Sequence, residues 1–247
     1  MDDTPPTGGT GEGKTQAGLA IVLLLSVFVV ATCGLVYELL SGTIASYLLG
    51  DSVTQFSTVI GTYLFAMGIG SWCSRYVVRN EIGIFVRVEI LIALIGGCSA
   101  AILFLLFPII EQFRFLLFGM VLAIGTLVGL EIPLLIRILR HRFAFRELVS
   151  TVLTYDYVGA LAASLLFPLL LVPYLGLIRT GFAFGIANVA VALLLLYVLP
   201  QGRAMKAEWV AGLATLGLLL AGVFGAERLQ RWAEIAAYDE PVIYARS

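Results

Sequence analysis

Apolar residues occur along this chain in long runs separated by short polar or glycine-containing joins. An α-helix rises about 1.5 Å per residue, so about 20 apolar residues cross the roughly 30 Å hydrocarbon core of a bilayer. About seven runs reach that length, at residues 17–48, 53–78, 84–107, 113–139, 152–172, 180–199 and 208–225. The pattern predicts an all-α fold, a polytopic helical membrane bundle of about seven transmembrane helices.

The first run, 17–48, is too long for one straight span and too short for two. Such a run must tilt, kink or extend beyond the bilayer. The sequence offers two places for a kink, at Gly34 and at Ser41-Gly42. The third alternative is a short extramembrane turn before Asp51.

Composition supports a membrane protein: 60% of the 247 residues are hydrophobic and 13% are charged, and the mean hydropathy is +1.02. These values lie far from those of soluble domains. The expected location is the cell membrane, as a multi-pass protein of the bacterial inner membrane. A formal net charge of -1 gives no reason to expect a nucleic-acid partner.

The cysteines and the single histidine do not form a metal or redox motif. Cys33, Cys73 and Cys98 lie in apolar runs without CxxC or Cys/His spacing, so we interpret them as small buried hydrophobic residues. His141 lies among arginines, without partners for a metal nearby. We therefore expect no metal and no cofactor.

The runs divide the chain into three parts: a disordered polar tail at 1–16, the bundle at 17–225, and an interfacial helix with a lead-in to a missing soluble domain at 226–247. The tail contains GGTGEGKT, which matches the phosphate-loop pattern. A phosphate loop needs a buried strand before it and an α/β domain after it. Here two prolines precede the motif and an apolar run follows, so we interpret it as a chance match.

Glu38 places a carboxylate inside the first apolar run. A charge in lipid-spanning sequence costs roughly 2.5–3.5 kcal/mol on insertion scales, so such a residue is a candidate functional group. Its neighbours on the same helical face are nearly all small: Ala31, Gly34, Leu35, Ser41, Gly42 and Ala45. Small residues let another helix approach closely, so we expect Glu38 to face the bundle interior.

Two further carboxylates lie in apolar sequence. Glu131 stands two residues before Pro133, whose missing N–H leaves a backbone carbonyl without its helical partner. Asp156 has small residues on its side of the fifth run. We expect an interior polar site that binds a cationic substrate, formed by Glu38, Glu131 and Asp156 with the tyrosines Tyr37, Tyr155 and Tyr157.

Structural alternatives stay open for each group. Glu131 could pair with Arg137, and Asp156 could cap the fifth helix. The polar join at 51–58 could be a solvated turn. Between the fourth and fifth runs, residues 137–146 contain four arginines, which predicts a cytoplasmic loop.

Four separated blocks, in order along the chain, resemble a known family: GLVYELLSGTIASYLLGDSVTQFS, GTYLFAMGIGSW, GLEIPLLIRIL and YDYVGALAASLLFPLLLVPYLGL. Together they resemble the membrane domain of integral-membrane spermidine synthase-like proteins, which are polyamine aminopropyltransferases with an N-terminal transmembrane domain. Residues 238–247 look like the lead-in to the soluble synthase domain of that family.

The resemblance implies that decarboxylated S-adenosylmethionine and putrescine bind in a Rossmann-like domain after Ser247. We therefore expect no catalytic residue in this chain, and aminopropyltransferase activity only if a synthase domain follows. The predicted function is a membrane domain that is non-catalytic by itself, anchors the synthase, and binds or passes a cationic amine. The alternative is a structural accessory subunit of a larger membrane complex. Expected partners are the lipid bilayer, a soluble synthase domain or other membrane subunits, and a polyamine.

Overall fold

The computed structural model of the protein describes residues 10–140 and 145–237, and within these ranges every regular element is helical. The all-α prediction is therefore confirmed for the described residues. The α-helices are α1 (Thr10–Leu49), α2 (Ser52–Cys73), α3 (Glu81–Leu106), α4 (Phe113–Leu139), α5 (Phe145–Leu166), α6 (Val172–Val198) and α7 (Lys206–Ala237). Two short 3-10 turns, Ser74–Tyr76 and Gly202–Ala204, and a π turn at Phe167–Leu171 complete the set.

Six continuous helical segments in the described part are long and apolar enough to cross a membrane, and the predicted number of seven is wrong. The fifth and sixth apolar runs form a single segment, Glu147–Val198. The π turn joins α5 directly to α6, so no loop separates them. Pro168 and Pro173 lie near the starts of new helical turns, where a missing N–H is tolerated.

Gly176 bends this long segment sharply, because its backbone is not helical (φ 73°, ψ 174°). The Thr180 hydroxyl lies 3.5 Å from the Leu171 carbonyl oxygen, nine residues earlier. In a straight helix, nine residues rise about 13.5 Å. The chain therefore folds back at Gly176, and the segment has two limbs. A positive φ is readily adopted only by glycine, which explains the residue at this position.

The first helix is helical without interruption from Thr10 to Leu49, through Gly34 and Gly42. It begins inside the stretch predicted to be a disordered tail. The start of that tail, residues 1–9, lies outside the described residues, as do the first two residues of the phosphate-loop pattern. At the other end, α7 continues to Ala237. Residues 238–247 also lie outside the described part, and the division into three parts stays a prediction.

Small residues set the closest helix crossings. In the crossing of α2 with α4, Gly70 lies against the Thr126 backbone and Gly129 against the Met67 backbone. In the crossing of α3 with α6, Gly97 and Gly185 face each other so closely that a Cβ on Gly185 would lie 2.9 Å from the Gly97 Cα. Such contacts are typical of helices that pack with their backbones close together. They bring the polar side chains described next into one region.

Candidate functional site: a buried acidic cluster

Four helices contribute buried polar side chains to one region of the bundle interior. Tyr37 lies on α1, Glu89 on α3, Glu131 on α4 and Asn188 on α6; Glu131 is 2% exposed and the other three are fully buried. Gly96 makes room for the Tyr37 ring, since a Cβ there would lie 2.9 Å from the ring Cζ atom. The sequence thus places a small residue on α3 where an aromatic side chain of α1 enters.

Glu89 and Glu131 are direct neighbours in this region. Their carboxyl groups are close enough to interact both electrostatically and through a hydrogen bond when one of them carries a proton. As ionised carboxylates both are acceptors only. Accordingly, both Glu89 carboxylate oxygens and Glu131 Oε1 have no hydrogen-bond partner among the described residues.

The nearest polar groups have partners elsewhere or none. Tyr63, on α2, donates its hydroxyl hydrogen to the Gly34 carbonyl oxygen at 2.8 Å. The Cys33 thiol lies 3.7 Å from the Phe184 carbonyl oxygen. The Tyr37 hydroxyl has no hydrogen-bond partner among the described residues, nor do the two amide atoms of Asn188. Six buried polar atoms are therefore unpartnered in the cluster formed by Tyr37, Glu89, Glu131 and Asn188, which we call the acidic cluster.

Asn188 belongs to this cluster by its position on α6. Phe184, whose carbonyl oxygen contacts Cys33, lies one helical turn before Asn188 and shares its face. Cys33 in turn lies close enough to Glu89 and Glu131 to interact with both electrostatically. Asn188 thus lies one helical turn from the backbone atom that contacts Cys33.

The structure distributes the predicted site residues unevenly. It brings Glu131 and Tyr37 together in the acidic cluster. Glu38 is 8% exposed and interacts electrostatically with Tyr63. Asp156 is half-buried and within electrostatic range of Glu131. The two remaining tyrosines flank Asp156 on α5: Tyr155 is half-buried and Tyr157 is 69% exposed.

The alternative roles for the predicted carboxylates can be compared with these positions. Arg137 donates to the Val77 carbonyl oxygen at 2.7 Å, and none of the ion pairs between described residues includes Glu131. Asp156 lies well inside α5, so it is not the cap of that helix. In the polar join, by contrast, Asp51 accepts a hydrogen bond from the Thr54 backbone N–H at 3.5 Å and caps α2. The join is a tight turn.

Sequence reasoning missed two members of the acidic cluster, Glu89 and Asn188. Glu89 is a carboxylate within the apolar run 84–107, so the rule that identified Glu38 applies to it equally. Asn188 is a lone amide in the sixth run, and it carried a weaker signal. No group of three or more metal-ligating side chains occurs in the described part of the chain, so the cluster does not present a metal site of that kind.

A separate pocket of about 550 Å³ lies at the turn between α3 and α4. Its lining includes Leu49 and the consecutive residues 107–115, with Glu111 and Arg114 as its charged members. No residue of the acidic cluster lines it.

Comparison with known proteins identifies enzymes as relatives. The chain is 52% identical over 235 residues to polyamine aminopropyltransferase 2 of Ralstonia nicotianae, covering 92% of this chain and 46% of the relative. It is 50% identical to the polyamine aminopropyltransferase of Leptospira interrogans, covering 91% and 45% of the two chains. Polyamine aminopropyltransferase 1 of Streptomyces coelicolor is 35% identical, with 93% and 44% covered. No protein-family model matches the chain. No solved structure matches it either.

These matches overturn the predicted function. A non-catalytic membrane domain, or an accessory subunit as its alternative, is wrong as a description, because the relatives matched over nearly the whole chain are themselves named as enzymes. The chain spans a little under half the length of these curated relatives. Over more than nine-tenths of its own length, the chain is similar to polyamine aminopropyltransferases.

Proposed function

We propose that the protein is a polyamine aminopropyltransferase, which transfers an aminopropyl group to a polyamine. The observation that carries this proposal is the identity of 50–52% to two such enzymes over more than nine-tenths of the chain. Because less than half of each relative is covered, the proposal assigns the activity to the protein and names no catalytic residue in this chain.

We further propose that the helical bundle lies in the cell membrane, the inner membrane in a bacterium. Six segments among the described residues have the length and apolarity to cross a bilayer. Large apolar side chains also cover the outside of the bundle; they include Leu25 (53% exposed), Phe65 (67%), Leu161 (59%), Leu169 (66%) and Phe224 (85%). A soluble monomer rarely exposes apolar patches of this extent, so lipid is the partner that best covers them. A soluble synthase domain and other membrane subunits stay candidate partners.

The predicted substrate-binding residues fit an enzyme whose substrate is cationic. A polyamine carries ammonium groups, which leave water readily only for charged acceptors. Glu38, Glu131 and Asp156 provide such acceptors in an apolar environment, with Tyr37, Tyr155 and Tyr157 beside them. Tyr157 is 69% exposed, so its proposed contact would be at the edge of the site. We propose these residues as contacts for the amine substrate of the transferase.

The activity is tested with the gene product at its natural length, reconstituted in lipid vesicles. The vesicles are incubated with putrescine and decarboxylated S-adenosylmethionine, the donor that the resemblance implies, and spermidine is measured by chromatography with mass detection. Vesicles prepared from cells with an empty vector are the control. Spermidine formation above this control supports the proposal; its absence with properly folded protein refutes it.

The substrate-binding role is tested separately by comparing Glu38→Gln with Glu38→Ala. If the charge contacts the amine, both variants lose putrescine and spermidine binding while remaining folded. Full binding by Glu38→Gln would show that the charge is unimportant. A loss of folding in both variants would show a structural role instead.

A further inference from the structure

Glu89 and Glu131 form the most unusual arrangement in the described part of the chain. They lie 42 positions apart in sequence, on α3 and α4, yet their carboxyl groups are in direct contact range. Glu89 is fully buried and Glu131 is 2% exposed. Apolar side chains close to Glu89 in sequence, such as Phe85 and Ile92, are fully buried too.

No positive charge among the described residues neutralises this pair. Arg87, two positions before Glu89, is engaged by Glu208 of α7, with Nη2 and Oε1 2.6 Å apart. The other two ion pairs between described residues join Arg140 to Glu81 and Arg179 to Glu227. Two carboxylates at this range, buried and without a cation, cannot both stay ionised, because each desolvated charge repels the other.

We propose that Glu89 and Glu131 form a proton-binding pair inside the bundle, in which the carboxylic acid of one residue donates its hydrogen bond to the carboxylate of the other. Binding takes up one proton from water and returns it to water on release, so charge and atoms balance. The bound proton changes the net charge of the pair from −2 to −1. It also supplies the hydrogen-bond donor that two carboxylates lack.

The unpartnered hydroxyl of Tyr37 and amide of Asn188 are the second observation that points to this site. Both side chains are fully buried, and neither has a hydrogen-bond partner among the described residues. Tyr37 lies within electrostatic range of both carboxyl groups. Both carry N–H or O–H donors. Tyr37 is therefore the nearest unused donor for the one negative charge that remains after the proton is bound, and Asn188 provides a second unused donor on α6.

Four other titratable groups lie within electrostatic range of one or both carboxyl groups: Cys33 and Tyr37 on α1, Tyr63 on α2 and Asp156 on α5. Glu38 on α1 interacts with Tyr63, and Glu208 on α7 is paired with Arg87. None of them is basic, so none replaces the proton as the neutralising charge. Glu38 is the group most easily confused with the pair in an experiment, because it is also a buried glutamate.

The pair is tested by infrared spectroscopy of the whole protein in lipid vesicles, with carbon-13 in the carboxyl groups of glutamate only. The reference protein carries Glu38→Gln, which removes the confusable signal. At neutral pH, we expect the reference protein to show the carbonyl stretch of one protonated glutamate per chain. This band should disappear when the pH is raised. If the folded reference protein shows no protonated glutamate at neutral pH, the proposal is overturned without any further variant.

Two additional variants distinguish a shared proton from two independent acids. Glu89→Gln and Glu131→Gln are added separately to the reference protein. Each substitution must abolish or shift the same band, since both residues hold the same proton. Adding Glu81→Gln, in the first turn of the same helix as Glu89, must leave the band unchanged. A band that responds to only one of the two pair substitutions would refute the shared proton. The test involves no aminopropyl transfer, so its result is independent of the proposed enzyme activity.

Discussion

The crossing of α2 with α4 predicts different effects on stability for two glycine substitutions on the same helix. Gly68 and Gly70 both lie in α2, two residues apart. A Cβ at Gly68 would meet nothing within 4 Å, whereas a Cβ at Gly70 would collide with the Thr126 carbonyl oxygen and lie 3.0 Å from the Gly129 carbonyl carbon. These obstacles are backbone atoms of α4, which cannot rotate away as a side chain can.

The magnitudes follow from two general effects. Replacing a helical glycine with alanine favours the helix by up to about 1 kcal/mol. Overpacking a close contact costs about 1–3 kcal/mol. Gly68→Ala should therefore be neutral or stabilising, and Gly70→Ala should be less stable than Gly68→Ala by about 1–3 kcal/mol. Because both variants gain the same helix propensity, this difference isolates the steric effect.

The assay is thermal unfolding of the purified protein in a mild detergent, followed by circular dichroism of the helical signal. For a protein of this size, 1 kcal/mol corresponds to about 2–4 °C in Tm, so the two variants should differ by roughly 2–12 °C. Retention of the folded form on size-exclusion chromatography after heating is an independent readout. If Gly70→Ala unfolds at or above the Tm of Gly68→Ala, the close approach of α2 and α4 is wrong.

Three further predictions concern hydrogen bonding, the fold-back and sidedness. Tyr63→Phe should destabilise the protein by about 0.5–1.5 kcal/mol in the same unfolding assay because it removes the bond to the Gly34 carbonyl, whereas Tyr174→Phe removes the hydroxyl of an exposed side chain and should not. Gly176→Ala should lower stability by about 1–3 kcal/mol because alanine is strained at a φ of 73°, while Gly119→Ala, with open space around it, should not; equal Tm values would contradict this. Sidedness is tested with single cysteines in a background without Cys73 and Cys98. A cysteine at Arg142 should resist a membrane-impermeant thiol reagent in intact cells, and one at the exposed Tyr174 should react, because α5 lies between these two positions. Labelling of the cysteine at Arg142 would reverse the assignment.

The positions of most helices follow from the sequence because charged and polar residues interrupt the apolar runs. The predicted run 113–139 coincides with α4, and the run 84–107 differs from α3 by three residues at one end and one at the other. The join of α5 to α6 was not predictable in the same way. Pro168 and Pro173 normally mark a break, but here a π turn and the N-terminal position of Pro173 keep the backbone helical around them.

The candidate site was predictable only in part, because it depends on which helix faces meet. Apolar context marks Glu38 and Glu131 as unusual, and it would mark Glu89 by the same rule. Context alone does not show that Glu89 and Glu131 interact with each other while Glu38 interacts with Tyr63. That outcome depends on the crossings of α1, α3 and α4, and therefore on where glycines allow close approach, as Gly96 does for the Tyr37 ring.

One negative charge remains in the acidic cluster even after a proton is shared, and this charge needs its own explanation. An isolated buried carboxylate loses its hydration, at a cost of several kcal/mol, unless hydrogen-bond donors replace the water. Tyr37, within electrostatic range of both carboxyl groups, and Asn188 on α6 are buried donors that have no partner in the described structure. A hydrogen bond from the Tyr37 hydroxyl to one of the carboxylates would satisfy an unpartnered donor and an unpartnered acceptor together. The unpartnered donors and the unpartnered acceptors thus complement each other, which explains why polar groups from α1 and α6 are kept in an otherwise apolar interior.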